Sequence, residues 1–260
     1  MLEAIIAAVK KVAKQEVMSR YLQMARQHKV DGSLFTEADL ATQKALAREL
    51  QKIYPAAVVG EEMSAQQQIE QWCAGDAGLW CVDPIDGTSN FVNGLPYFAI
   101  SVALVRHGKS TLGVVYDPMA DEVFYAERSG GSYLNGERLP IKKHVPILRD
   151  AIANIDLKRL DHKLAMTIST SPPYSSQRNY GACALEWCYV AAGRFDLYLH
   201  GGQKPWDYAA GCLILEEAGG HMCGLDQDDF WLEPLWQRPV IAALNPSLFI
   251  EWRNWVRQHR

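Results

Sequence analysis

The sequence has no apolar run long enough to cross a membrane, no Cys-x-x-Cys pair and no excess of basic residues. The first absence argues against a transmembrane helix, which needs about 20 consecutive apolar residues. The second leaves no sign of a zinc cage or a thioredoxin-like motif. With 26 Lys and Arg against 30 Asp and Glu, the formal charge of −4 lacks the broad positive field of nucleic-acid-binding proteins. We therefore expect no membrane or nucleic-acid partner, and a small or anionic ligand held by local chemistry.

The chain also lacks low-complexity runs, internal repeats and linker-like stretches. Its 19 Gly and 12 Pro are scattered over 260 residues, a length that can bury one large core or two packed lobes. Apolar residues at helical spacing opposite Lys10, Lys11 and Lys14 predict an amphipathic surface helix at the N-terminus rather than a signal peptide. We expect the six cysteines to be buried thiols rather than disulfides, which favours a reducing, cytoplasmic location.

Apolar periodicity and turn residues predict two lobes. Residues 1–145 should form an α+β lobe with a helix capped by Thr36, buried strands at 56–59 and 79–82 joined by a polar connection, and an antiparallel meander over 100–139. Residues 146–260 should form an α/β lobe with strands at 151–155, 166–169 and 195–199 and a helix-like segment at 157–164. A further helix should begin at Asp207 and end at Gly219-Gly220. We expect one compact unit.

The stretch CVDPIDGTSNF, residues 81–91, places two carboxylates beside a turn. Asp83 and Asp86 repel each other if held close, unless a cation neutralises them. Carboxylate and carbonyl oxygens suit a hard divalent ion such as Mg²⁺, which also binds phosphate oxygens. Gly87 permits a sharp turn into a helix whose free N–H groups attract an oxyanion. The pattern therefore predicts metal-assisted attack on a phosphate, with Asp83 placed to bridge two ions.

Each acidic motif also has a purely structural interpretation. The Asp-Pro-Ile-Asp stretch could close a strand as an Asx-turn, and Glu61-Glu62 could be a solvated loop tip. Asp207 could be a helix N-cap, and Asp39 could complete the capping box of Thr36. Their occurrence together in one chain favours a functional site.

At these residues the sequence resembles the inositol monophosphatase family of Mg²⁺-dependent, lithium-sensitive phosphatases. The family's Asp-Pro-Ile-Asp-Gly-Thr motif is matched at 83–88, its Trp-Asp at 206–207, its Glu-Ala-Gly-Gly at 217–220, its Gly-Glu-Glu at 60–62 and its Thr-x-x-Asp at 36–39. The resemblance implies an α+β fold, the layered αβαβα sandwich of the inositol monophosphatase and fructose-1,6-bisphosphatase type. It also implies a homodimer.

The resemblance further implies a role for each site residue. Glu61, Asp83 and the carbonyl of Ile85 would hold one Mg²⁺ ion and Asp83, Asp86 and Asp207 a second, with two or three ions in the site. Glu61, Thr88 and Asp39 would be catalytic: metal-activated water near the glutamate and the threonine attacks phosphorus, and the aspartate binds the threonine. Substrate contacts would fall on Asp86, Gly87, Thr88, Ser89, Gly181, Ala182, His200 and Asp207. Lys29 would be an outer electrostatic helper.

The substrate is left open by His200. Inositol phosphatases of the family usually carry glutamate there, which accepts hydrogen bonds from ring hydroxyls. Imidazole has one donor and one acceptor when neutral and is positive when protonated. His200 therefore favours either a second anionic group on the substrate or a looser contact to a polyol, and it could also be a rim residue without ligand contact.

The predicted function is a Mg²⁺-dependent phosphomonoesterase that acts on inositol monophosphate or a similar sugar phosphate by direct attack of water. The alternatives are a sugar bisphosphatase, an NADP or nucleotide phosphatase, a histidinol-phosphate phosphatase, or a non-catalytic regulatory protein of the same fold. Retention of all the acidic ligand positions argues against the last.

Overall fold

The computed structural model describes residues 1–23, 27–28, 34–142 and 147–260, with the backbone alone at 27–28 and 34–35. Lys29 and the predicted lobe boundary at 145–146 lie outside the described residues. Within these ranges, no helix combines the length and the apolar character of a membrane span.

Helices and strands alternate along most of the described chain. The helices are α1 (Leu2–Val12), α2 (Glu37–Ile53), α3 (Ala65–Ala74), α4 (Thr88–Asn93), α5 (His162–Thr170), α6 (Cys183–Ala191), α7 (Pro205–Glu217) and α8 (Pro246–His259). The strands are β1 (Gln27–His28), β2 (Leu34–Phe35), β3 (Ala57–Gly60), β4 (Leu79–Asp86), β5 (Ala99–Arg106), β6 (Lys109–Asp117), β7 (Glu122–Glu127), β8 (Gly131–Leu134), β9 (Glu137–Arg138), β10 (Ile152–Asp156), β11 (Ser176–Arg178), β12 (Leu197–Gln203), β13 (His221–Cys223) and β14 (Arg238–Ala243).

Two sheets organise the molecule. The larger has the order β3-β4-β5-β6-β7-β8-β9, in which β3 and β4 are parallel and the rest of the pairs are antiparallel. The predicted meander is confirmed as β5 to β9. The smaller sheet has the order β11-β10-β12-β14-β13, with β10 parallel to both its neighbours. The antiparallel pairs of β14 with β12 and β13 make it a mixed sheet.

The helices and the two sheets stack in five layers. On one face of the larger sheet, apolar residues of α1 and α2 pack with Trp80 and Val82 of β4. The alternate residues of β4, Leu79 and Cys81, belong to a second cluster that includes α6, α7 and one face of the smaller sheet, as the two-residue period of a strand requires. A third cluster packs α5 and α8 on the far face of the smaller sheet. The predicted αβαβα sandwich is confirmed.

Local predictions in the C-terminal half were less accurate. The predicted strand at 166–169 is wrong, because these residues lie in α5, where Asp161 caps the helix and Leu164 and Ile168 are buried one turn apart. The predicted helix-like segment at 157–164 is right in part: it contains a 3₁₀ turn at Leu157–Arg159 and the first three residues of α5, with a break between them. The helix expected at Asp207 begins two residues earlier, at Pro205.

Two further differences concern the N-terminal half and the cysteines. The predicted polar connection between β3 and β4 contains α3, which begins with a capping box between Ser64 and Gln67. It has no buried residue, so apolar periodicity gives no sign of it. All six cysteines are free thiols, but Cys73 is exposed and Cys183 only partly buried, so burial was predicted correctly for the other four.

Candidate active site

The larger sheet brings the predicted acidic residues to one edge. Because β3 and β4 are parallel and Gly60 pairs with Val82, Glu61, just after β3, lies beside Asp83 within β4. Asp83 also pairs with Ser101 on β5, whose hydroxyl donates to the carbonyl of Trp206 over 3.2 Å. This bond ties the first turn of α7, and so Asp207, to the same edge.

A cleft of about 720 Å³ opens at this edge. Most of the site residues predicted from the sequence line it. They are Glu61, Asp83, Ile85, Asp86, Gly87, Thr88, Ser89, Gly181, His200 and Asp207. Asp39 and Ala182 do not: both are fully buried behind the wall.

Backbone amides hold three of the carboxylates. Asp86 accepts hydrogen bonds from the N–H groups of Cys183 and Ala184, at 3.1 and 2.7 Å, in the first turn of α6. Asp207 accepts the N–H of Lys204 at 2.8 Å, and Asp83 accepts that of Ile85 at 3.1 Å. The amides position the carboxylates without neutralising their charge.

Burial and neighbouring carboxylates disfavour the charged forms of Asp83, Asp86 and Asp207. Burial raises the pKa of Asp83 well above its usual value, and the charges of Glu61, Asp86 and Asp207 raise it further. Burial and then Asp207 likewise raise the pKa of Asp86. The pKa of Asp207 is raised to about 7, mainly by burial. No described lysine or arginine forms an ion pair with any of these three aspartates. Such a cluster favours a cation or a proton.

The donor set fits a hard divalent cation. Four carboxylates and the carbonyl of Ile85 offer only oxygen ligands, which Mg²⁺ prefers. Within the described ranges, no three Asp, Glu, His or Cys side chains stand close enough to make a finished metal site. The carboxylates of Asp86 and Asp207 are turned onto backbone amides instead. The residues therefore fit Mg²⁺ by chemistry and electrostatics.

Asp39 links the cap of α2 to the cleft. One of its carboxylate oxygens accepts the N–H and the hydroxyl of Thr36, at 2.7 and 2.6 Å. The other lies 3.4 Å from the hydroxyl of Thr88, which is also 3.0 Å from the carbonyl of Ile85. The capping interpretation and the functional interpretation of Asp39 are therefore compatible, since each uses a different oxygen.

Gly87 allows the chain to turn from β4 into α4. Its φ of 89° lies in the left-handed region, and a Cβ there would lie 3.1 Å from the Cβ of Ala182 and 3.2 Å from the carbonyl oxygen of Gly181. Ala182 thus supports the turn from behind, and its predicted contact with substrate has no access to the cleft. The exposed Gly181 and Ser89 lie on the wall itself.

Sequence reasoning missed the groups that fix the loops around the site. The side-chain amide of Gln68, in α3, lies 3.1–3.3 Å from the carbonyls of Gly60, Glu61 and Met63. Glu186, in α6, accepts the N–H of Gly181 at 3.0 Å. The Ser64-x-x-Gln67 capping box could have revealed α3, and with it Gln68. No sequence signal points to Glu186.

His200 is a buried, neutral side chain in the cleft. It is 3% exposed, and its Nδ1 accepts the N–H of Gly202 at 3.1 Å, which places the proton of the neutral ring on Nε2. Nε2 lies 3.6 Å from the carboxylate of Asp156. Burial lowers the pKa of His200 to about 3, and the charges of Arg159 and Lys158 add to the effect. The positively charged form considered from the sequence is therefore not populated at neutral pH.

The chain belongs to the inositol monophosphatase family, whose profile matches residues 1–255. It is 37% identical to the Nus factor SuhB of Pasteurella multocida over 233 residues, 84% of this chain and 85% of that protein. It is 35% identical to inositol monophosphatase 1 of Solanum lycopersicum over 231 residues, 85% and 81% of the two chains. The structure of the Thermotoga maritima IMPase, 30% identical, superposes with a TM-score of 0.82 over 99% of this chain and 98% of that one.

Proposed function

We propose that this protein is a Mg²⁺-dependent phosphomonoesterase that hydrolyses inositol monophosphate or a similar sugar phosphate by direct attack of water. One observation carries the proposal: carboxylates from two strand ends and the start of α7 share one cleft in which the pKa values of Asp83, Asp86 and Asp207 are all raised. A purely structural cluster of acids would be stabilised by ion pairs with basic side chains, and these three aspartates form none among the described residues.

The residues of the cleft would have different roles in the reaction. Glu61, Asp83 and the Ile85 carbonyl would hold one ion, and Asp83, Asp86 and Asp207 a second. When bound, Mg²⁺ supplies Lewis acidity and lowers the pKa of water toward neutrality. Asp39, held by Thr36, lies 3.4 Å from the hydroxyl of Thr88 and would orient that oxygen toward the attacking water.

The first turn of α4 would receive the phosphate. Its leading N–H groups, those of Thr88 and Ser89, have no acceptor within the helix and are suited to the charge on phosphoryl oxygens. Thr88 and Ser89 follow the left-handed turn at Gly87 and line the same cleft as Asp86. By the family resemblance, we also expect lithium inhibition and a homodimer.

A regulatory role is the second candidate, because relatives such as that of Pasteurella multocida are named Nus factors. Such a role alone does not require a cluster of aspartates with raised pKa values and no ion pair among the described residues. Their electrostatic cost is better explained by a cation-dependent reaction.

Phosphate release from a panel of esters, with and without Mg²⁺, tests the proposal. The panel should include inositol 1-phosphate, fructose 1,6-bisphosphate, histidinol phosphate and NADP. Asp83→Asn should abolish Mg²⁺-dependent release while leaving the circular dichroism spectrum unchanged. Asp150→Asn, an exposed aspartate outside the cleft, is the matched control and should retain activity. Release that does not need Mg²⁺, or a fully active Asp83→Asn variant, would contradict the proposal.

A further inference from the structure

The cleft has a second end, formed by the smaller sheet. Its parallel strands β10 and β12 pair Asp156 with His200, so their carboxyl ends reach the cleft together. Ligands of open sheets bind beyond the carboxyl ends of parallel strands. Here the segments that follow the two strands bring Lys158, Arg159 and Lys204 to the cleft wall.

These three residues are exposed and place positive charge on the wall of the cleft that contains the acidic cluster. Lys158 lies 3.8 Å from the carboxylate of Asp156 and is partly neutralised. Arg159 and Lys204 form no ion pair with any acidic residue that the structure describes. Arg159 and Lys204 line the same cleft as His200 and Asp207, and the N–H of Lys204 donates to the carboxylate of Asp207.

The floor between these cations carries little free negative charge. His200 is neutral, since its Nδ1 accepts a backbone N–H. Asp156 accepts the N–H of Lys158 and faces its ammonium group. Glu186 accepts the N–H groups of Tyr180 and Gly181. An anion bound at this end would therefore be attracted by the cations, while the carboxylates nearest to it already accept other hydrogen bonds.

We propose that this end of the cleft, flanked by Arg159 and Lys204 over the neutral His200, binds a second phosphate group of the substrate. The inference rests on the proposed phosphatase function and narrows its substrate class to sugar bisphosphates. The reacting phosphate would lie at the acidic cluster and the second one at the ends of β10 and β12.

The competing explanation is that Arg159 and Lys204 act on the reacting phosphate. A matched substrate pair separates the two. Fructose 1-phosphate and fructose 1,6-bisphosphate differ only in the second phosphate, so the ratio of their kcat/KM values reports the second site alone. An exposed cation contributes about 0.2 to 1 kcal/mol to an ion pair, which is about a 1.4-fold to fivefold effect on this ratio.

The wild-type protein should prefer the bisphosphate by about tenfold, as two or three such contributions multiply. In Arg159→Gln/Lys204→Gln the ratio should fall close to one, and raising NaCl from about 50 to about 500 mM should lower it in the wild type, because exposed charges are screened. His200→Glu adds a negative charge to the floor and should also lower the ratio. Arg149→Gln, 81% exposed and outside the cleft, should leave it unchanged.

A wild-type ratio near one, or a double variant in which kcat/KM falls equally for both esters, would overturn the proposal. If neither fructose ester nor any ester of the panel is hydrolysed, the phosphatase assignment fails. Calorimetric binding of the two fructose esters in Mg²⁺ then decides the second site separately. Binding of the bisphosphate about tenfold tighter than the monophosphate, lost in the double variant, would support the site. Equal binding of the two esters would refute it.

Discussion

The variant Asp207→Asn measures how much the negative charge of Asp207 lowers the free energy of unfolding of the metal-free protein. Burial raises the pKa of Asp207 from 3.8 to about 7, with the charge of Glu61 adding to it and the hydrogen bond from Lys204 opposing it. Asparagine removes the charge but keeps a side-chain oxygen that can accept the N–H of Lys204, 2.8 Å away in the wild type. The substitution therefore changes the charge with little change in shape.

The sign of the effect follows from the raised pKa. Below about pH 4, Asp207 is protonated in the folded and the unfolded chain and has no effect on stability. As the pH rises toward 7, the unfolded chain loses this proton first, so the free energy of unfolding falls, and above pH 7 the full cost is present. A shift of about 3 pKa units corresponds to about 4 kcal/mol.

Water in the cleft reduces this cost, because Asp207 is only partly buried. If solvent screening halves the roughly 4 kcal/mol, Asp207→Asn should raise the free energy of unfolding by about 2 kcal/mol. For a chain of this size, that corresponds to a Tm about 4 °C higher than that of the wild type at pH 8 in the absence of metal. The difference in Tm between Asp207→Asn and the wild type should become smaller as the pH falls to 5. Saturating Mg²⁺ should raise the Tm of the wild type and raise that of Asp207→Asn less, because the variant binds the ion more weakly.

Scanning calorimetry at pH 8 and pH 5, in EDTA and in Mg²⁺, measures all of these effects. Asp150→Asn is the control for loss of an aspartate charge elsewhere and should show no pH-dependent gain. A variant that is less stable than the wild type at pH 8 in EDTA would refute the reasoning. It would mean that the carboxylate of Asp207 already has a favourable partner in the metal-free protein.

Two further predictions concern a catalytic contact and a core contact. Asp39→Asn should lower kcat by about tenfold to hundredfold, because the single oxygen of an amide cannot serve both Thr36 and Thr88 as the two carboxylate oxygens do. Phosphate-release kinetics measure this loss, and a wild-type kcat would contradict the proposed role of Asp39. Gly211→Ala places a Cβ 2.4 Å from that of Trp187 and should lower the free energy of unfolding by about 2 kcal/mol. Urea titration measures this loss, and an unchanged midpoint would contradict the contact.

The acidic positions could be predicted because each is fixed by local sequence. Pro84 and Gly87 direct the chain at the end of β4, and Thr36 caps α2 just before Asp39. Such short-range signals are in the sequence itself. The layer order followed from the family resemblance, and the alternation of the β4 side chains between two apolar clusters agrees with it.

The remaining contacts depend on packing between distant elements. Glu217 belongs to a recognised motif, but the sequence does not reveal its contacts. In the structure its carboxylate accepts the N–H groups of Ser129 and Gly131, across from the end of α7. The neutral state of His200 likewise follows from burial and from the N–H of Gly202, whereas the residue type alone left both protonation states open. Segment 166–169 was mistaken for a strand because the tertiary burial of α5 outweighs its β-branched residues.

The separation of Asp86 from Asp207 is set by the core. The first-turn amides of α6 hold Asp86, and Asp207 lies in the first turn of α7. These two helices form the middle layer between the sheets, and they approach closely where Gly211 faces Trp187. A larger residue at 211 must push the helices apart and move the two carboxylates with them. Gly211→Ala should therefore lower Mg²⁺ affinity as well as stability, although it lies a full turn away from the nearest proposed ligand.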